Sequence, residues 1–166
     1  MSNLRDHFEA MQKAFGDKNL YNRFFLAHAH TYPIGPNTYA GPRQEQNNCY
    51  GNATTLALED RSLTYVEGKL EMMGMPFDHA WCIDADGVVV DPTIERTETH
   101  GEYFGVPFKT DYVARAIVRN GIYGLLDIIF ASETAPKLFE LGLEAGQQWL
   151  LDQPYKTSKR LQRRFG

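Results

Sequence analysis

The stretch His79-Ala80-Trp81-Cys82-Ile83-Asp84-Ala85-Asp86-Gly87-Val88-Val89-Val90-Asp91-Pro92-Thr93 decides the reading of this chain. Two apolar runs flank a turn-forming Asp84-Ala85-Asp86-Gly87. This pattern predicts a hairpin with strands at Asp78–Ile83 and Val88–Asp91. Pro92 ends the second strand, because it has no N–H for the ladder. If the loop is the three residues Asp84-Ala85-Asp86, Ile83 faces Gly87, and counting outward sets His79 opposite Asp91. Opposed residues carry their Cβ atoms about 4.5–5.5 Å apart on one face. An aspartate there can accept the proton of one imidazole nitrogen and fix the tautomer. A two-residue loop would shift the register by one and spoil this geometry unless a bulge restored it.

Working upstream, Tyr50–Asp60 supports a helix, with Ala53, Leu56 and Ala57 on one face, and Cys49 stands at its start. The first turn of a helix has free amides and a positive end, which stabilise a thiolate and can hold a developing oxyanion. Leu63–Leu70 alternates as a strand, and Gly74 and Pro76 are expected to interrupt the chain beyond it. Residues 3–15 carry Leu4, Phe8, Met11 and Phe15 at helical spacing, with Asn3 placed to cap the start and Gly16 to end it. Leu20–Tyr32 fits helix or strand in parts. The run from Pro33 to Pro42 is irregular. Thr93–Gly105 reads as loop with a short strand near Tyr103, Asp111–Arg119 as helix, 122–131 as buried, and Glu133–Leu151 as one or two helices. Helices first, a small antiparallel sheet in the middle and helices last give the class α+β. No repeat or linker marks a second domain. The reading is one domain over 1–153 and a basic tail over 154–166.

Composition sets limits. The chain has 166 residues, enough for one domain with a core that needs no disulfide or metal. It is 43% hydrophobic and 23% charged, which argues against disorder. No run of about 18 apolar residues is present, so no membrane span is expected. The start, Met1-Ser2-Asn3-Leu4-Arg5-Asp6-His7, lacks the apolar centre of an export signal, and a cytoplasmic location is expected. Cys49 and Cys82 are the only cysteines, expected as free thiols. Five of the 17 basic residues lie in the last fourteen positions, leaving 12 basic against 21 acidic side chains before them. A body with a net charge of −9 is a poor general nucleic-acid surface. The tail Lys156 to Arg164 reads as a solvated terminus.

Taken with Tyr65-Val66-Glu67-Gly68, the segments His79-Ala80-Trp81 and Asp84 to Thr93 resemble the core of the transglutaminase-like superfamily, within the papain-like fold group. The match covers roughly 45–93. The resemblance implies a papain-like core in which Cys49, His79 and Asp91 form a Cys-His-Asp triad in chain order. It also implies an upstream glutamine as second oxyanion donor. Gln44 and Gln46 are the candidates, and Gln44, five residues before Cys49, is preferred. The chain departs from the family's usual surroundings of the cysteine, with Asn48-Cys49-Tyr50-Gly51-Asn52-Ala53, and its thirty-residue interval from Cys49 to His79 is short. The resemblance therefore implies thiol acyl chemistry more strongly than protein crosslinking.

Each of these residues has a plain structural reading. Cys49 could be a small buried residue, His79 a satisfied strand histidine, and Asp91 a turn former before Pro92. Their ordered combination is what points to catalysis. The expected function is a cysteine-dependent amide-bond hydrolase, an amidase or peptidase working through a thioester. The alternatives are an acyltransferase using the same triad and a non-catalytic partner-binding protein. The substrate would be a peptide, a protein side-chain amide or a small amide. No cofactor or metal is required. His28 and His30 form a His-x-His pair that would point to one side of a strand and could bind zinc with an acid, but no third ligand can be named. Trp81 shares the His79 face. Cys82 falls on the opposite face and reads as inert core. Tyr65 and Glu67 are expected in structural roles, with substrate binding from the adjacent strand as the alternative, and Tyr103, Phe104 and Phe108 are expected as cleft wall or core. Asn52-Ala53-Thr54 has the spacing of a glycosylation acceptor and carries little weight without an export signal.

Overall fold

Asn3 opens the first element. Its side chain accepts from the Asp6 N–H, and the Asp6 carboxylate accepts from the Asn3 N–H, a reciprocal capping box. In a computed structural model, which describes residues 3–16, 19–32, 38–42, 44–94 and 101–126, this cap starts helix α1 (Leu4–Phe15), which ends at Gly16. The ambiguous aromatic stretch divides. Leu20–His28 is helix α2, capped by Asn19, and His30–Tyr32 is strand β1. Helix α3 (Cys49–Glu59), strands β2 (Thr64–Met72), β3 (Met75–Ile83), β4 (Val89–Val90) and β5 (Gly101–Phe108), and helix α4 (Thr110–Asn120) complete the order. The strands form a curled antiparallel sheet in the order β1-β5-β2-β3-β4. The class is α+β. The expected helices over 133–151 and the basic tail lie outside the described residues.

Strict two-residue alternation divides the buried side chains between the sheet's two faces. Tyr65, Cys82, Phe104 and Phe108 face the helices, where they meet Leu4 and Phe8 of α1, Phe24 and Phe25 of α2, Ala53 and Ala57 of α3, and Val113 of α4. Val66, Leu70, Trp81, Ile83, Val89 and Tyr103 form a second cluster with Tyr32. Among the described residues, no helix is long and apolar enough to cross a membrane.

The fold corrects two expectations. Gly74 and Pro76 do not break the sheet. Met73 and Gly74 both take positive φ, 55° and 78°, and make a two-residue hairpin turn that joins β2 to a nine-residue β3. Pro76 then falls at an edge position, where its missing N–H faces away from β2. The strand expected near Tyr103 is longer than a short one, while 95–100 lie outside the described residues. β5 begins at Gly101 and pairs with β2 along eight positions.

One glycine sets where the tryptophan lies. Gly105, on β5, is two strands away from Trp81. A Cβ on it would stand 2.5 Å from the end of the indole ring and 2.9 Å from the Glu67 carbonyl. The bare Gly105 backbone is what allows the fully buried Trp81 to lie across the sheet. Gly105→Ala is therefore expected to cost about 1–3 kcal/mol by overpacking. Urea unfolding of the two proteins at one pH checks it.

Candidate active site

Cys49 is the first residue of α3 and is half-buried. Asn47 before it takes φ 64°, a left-handed conformation that asparagine tolerates better than most residues. Asn48 occupies the N-cap without making a side-chain cap, in contrast to Asn3 and Asn19 on α1 and α2. Its side chain lies across the first turn instead, within 2.5 Å of where a Cβ on Gly51 would be. The helix thus presents its cysteine from a first turn whose amides no capping side chain takes, the arrangement an anion needs.

His79 and Asp91 meet. The His79 Nε2 and Asp91 Oδ2 are 2.7 Å apart, and both side chains are buried. The hairpin register differs from the expected one by two. Ile83 pairs with Val89 rather than Gly87, so the loop holds the five residues 84–88, and Trp81 rather than His79 falls opposite Asp91. Asp84 explains the longer loop, because its carboxylate accepts from the N–H groups of Asp86 and Val88. An even shift keeps Asp91 on the same face as His79, and the contact forms on the diagonal.

Asp91 is fully engaged. Oδ1 accepts from the N–H groups of Thr93 and Ile94, and Oδ2 also accepts from the Tyr103 hydroxyl at 2.8 Å. Cys49 is the second side chain whose presence favours a proton on the His79 ring, and with Nε2 facing Asp91 the ring nitrogen left over is Nδ1. Burial opposes a charge on His79. The hydrogen bonds and charges of Asp91 and Cys49 outweigh it and raise the imidazole from 6.5 to about 9. Burial likewise opposes the Asp91 charge, but His79 and the two backbone amides hold its carboxyl below the usual range. The pair is imidazolium and carboxylate at neutral pH.

A second set of bonds aligns the helix with the strand end. Asn52, one turn into α3, is buried. Its amide donates to the Glu45 carbonyl at 2.7 Å and to the Thr93 hydroxyl at 3.1 Å. The Gln44 N–H donates to the Pro92 carbonyl. The loop before Cys49 and the turn after Asp91 are thereby tied to each other. The side-chain amide of Gln44 makes its contacts within its own loop, to the Tyr39 hydroxyl at 3.3 Å and the Pro42 carbonyl at 3.4 Å.

The remaining candidates separate. Cys82 lies on the helix face, donates to the Ala53 carbonyl and has its thiol pushed far up by burial. His28 and His30 do not share a strand. Helix α2 ends between them, so His28 packs near Phe24 and His30 near Tyr32, and among the described residues no group of three or more His, Cys, Asp or Glu could hold a metal ion. Trp81 stacks with the His79 ring at 6.1 Å and 15°. Glu67 is buried on the helix face, where it accepts from the Tyr65 hydroxyl and the N–H groups of Leu125 and Leu126. Phe104 and Phe108 are core.

Sequence reasoning misses two contributors. It reads Tyr103 only as core or wall, and Asn52 only as part of a glycosylation pattern. The Asn52 amide is instead buried and bonded at both partners. A sequence signal exists for Asn52, one turn after Cys49 and on the same helix. None exists for Tyr103, which arrives through the pairing of β5 with β2.

The geometry has two measurable consequences. Because His79 titrates higher in the folded than in the unfolded chain, its stabilisation is complete below 6.5 and is lost as pH rises through about 9. The shift corresponds to about 3 kcal/mol. Urea unfolding between pH 6 and 9.5 is expected to show this loss in the native sequence and little of it in Asp91→Asn. Asn52→Ala is expected to cost about 1–3 kcal/mol, and Asn52→Asp more, because an acceptor would then face the Glu45 carbonyl. Thermal melts of the two variants rank them.

Comparisons with protein-family models, with curated proteins and with solved structures each find no match to this chain.

Proposed function

We propose that this protein is a cysteine-dependent amide-bond hydrolase of the transglutaminase-like kind, with Cys49 as nucleophile, His79 as general acid and base, and Asp91 as the residue that orients His79. The observation that supports it most is the buried imidazole bonded through Nε2 to a carboxylate, with a helix-start cysteine among the groups that favour its proton.

The chemistry proceeds in two halves. The Cys49 sulfur, its proton held on His79, attacks the carbonyl carbon of an amide and forms a C–S bond. The oxygen takes the negative charge and is met by the Cys49 N–H at the start of α3. His79 gives its proton to the nitrogen as the C–N bond breaks, and the amine leaves. Water then attacks the thioester. His79 takes one of its protons, the C–S bond breaks, the carboxylic acid leaves and loses its remaining proton to solvent, and the thiol–imidazole pair is restored. Gln44 is the expected second oxyanion donor, and its amide must exchange Tyr39 and Pro42 for the substrate oxygen. Asp91 keeps its proton balance unchanged throughout, since four donors, the His79 ring among them, stabilise its charge.

A reagent test addresses this without knowledge of the substrate. Iodoacetamide is expected to alkylate Cys49 rapidly at pH 7, and His79→Ala to slow it by about tenfold or more, because the thiolate is the nucleophile and the cation beside it is gone. Cys82 should stay unmodified in the folded protein. Peptide mapping by mass spectrometry reads both sites. A rate indifferent to His79 counts against the enzyme.

A further inference from the structure

Beyond Cys82, which pairs with Val90, the outer edge of β3 has no strand partner among the described residues. The ladder shows what that edge presents. Asp84 turns its N–H to the Val88 carbonyl on the β4 side. Alternation turns the main-chain groups of Ala80, Asp78 and Pro76 the same way. Ala80 is buried, while Asp78 and Pro76 are exposed. The accessible edge offers one donor, the Asp78 N–H, and two acceptors, the carbonyls of Asp78 and Pro76.

The side chains on the His79 face add a second feature. Phe77 and Met75 precede His79 at two-residue steps, so all three lie on one face. Phe77 is 39% exposed and Met75 63%, whereas His79 is 4% exposed. An open backbone edge and an exposed apolar row thus run side by side and end at the imidazole.

Resting on the hydrolase reading, we propose that the substrate is an extended polypeptide that adds to this edge as a short strand, lays an apolar side chain over Phe77 and Met75, and so brings its scissile carbonyl to Cys49. A small amide would leave both features uncovered. A second copy of the chain fits less well, since two such edges together bring four acceptors and only two donors. An extended peptide supplies the missing N–H groups.

Three reagents test it on the full chain: iodoacetamide, an acetylated trileucine chloromethyl ketone and its triglycine counterpart. Cys49 is expected to react roughly tenfold faster with the leucine peptide than with the glycine one, the range that apolar side-chain contacts supply. The double variant Met75→Ser/Phe77→Ser should narrow that ratio to about threefold or less and leave the iodoacetamide rate unchanged. Equal rates for the two peptides, or a preference that survives the double variant, overturn the proposal while the hydrolase reading stands. So does sedimentation showing a dimer that the double variant dissociates, since a second copy would then own the surface. Failure of His79→Ala to slow iodoacetamide overturns the hydrolase reading, and the extended-peptide substrate with it.

Discussion

The charged His79–Asp91 pair inside the protein constrains everything around it. Removing an imidazolium and a carboxylate from water costs several kcal/mol per ion unless both are paired and their remaining groups are satisfied. Asp91 meets that demand with the His79 nitrogen, the Tyr103 hydroxyl and two backbone amides. Those amides belong to Thr93 and Ile94, so the chain must bend as soon as β4 ends. Pro92 fits that bend because the ladder needs no donor there. The brevity of β4 and the turn beyond it both trace to the carboxylate's need for donors.

The sheet carries two buried carboxylates, and their surroundings differ in kind. Glu67 accepts from a phenol and from the backbone of Leu125 and Leu126. It anchors the segment after α4 to β2, and burial together with the Glu67 charge pushes the Tyr65 phenol well above its ordinary range. None of these partners can exchange a proton near neutral pH. Asp91, in contrast, holds a titratable ring whose proton Cys49 also favours. Four satisfied donors make Asp91 a fixed charge, and the proton equilibrium passes to its neighbour. The same chemical group serves as a fastener on one face and as an orienting charge on the other.

How much of this is legible from residues alone depends on the range of the interaction. The cap at Asn3, the stop at Gly16 and the start of a helix at Cys49 rest on contacts three or four positions apart, and local pattern reaches that far. The meeting of His79 with Asp91 spans one hairpin and is readable in its outcome, though not in its register. Asp84 lengthens the loop through its own side-chain bonds, which residue types alone do not disclose. The site survives the difference because a shift of two preserves the face, whereas a shift of one would send Asp91 into the helix layer beside Cys82. Tyr103 and the seat of Trp81 over Gly105 need the pairing of β5 with β2, and no local pattern carries that. His28 and His30 mislead because a two-residue spacing means a shared side only if one strand holds both.

The cost of this arrangement bears on what it is for. A fold that served only to bind a partner would lose nothing by filling the space of His79 and Asp91 with apolar groups of similar volume, and such replacements are often neutral or stabilising. Buried charges with displaced titration instead cluster where chemistry is done, although structural ion pairs can show the same displacement. The orientation separates the two cases. A structural pair is complete once its charges are matched, and Asp91 matches His79 through Nε2 alone. The remaining nitrogen has no structural obligation, yet the cysteine that opens α3 is near enough to favour the ring's proton, while the other cysteine is committed to the Ala53 carbonyl on the far face. Asn52 and Gln44 then spend further bonds on tying the cysteine's loop to the aspartate's turn. Such reinforcement favours a reacting site over a relic of one, because only the former depends on the spacing between sulfur and imidazole.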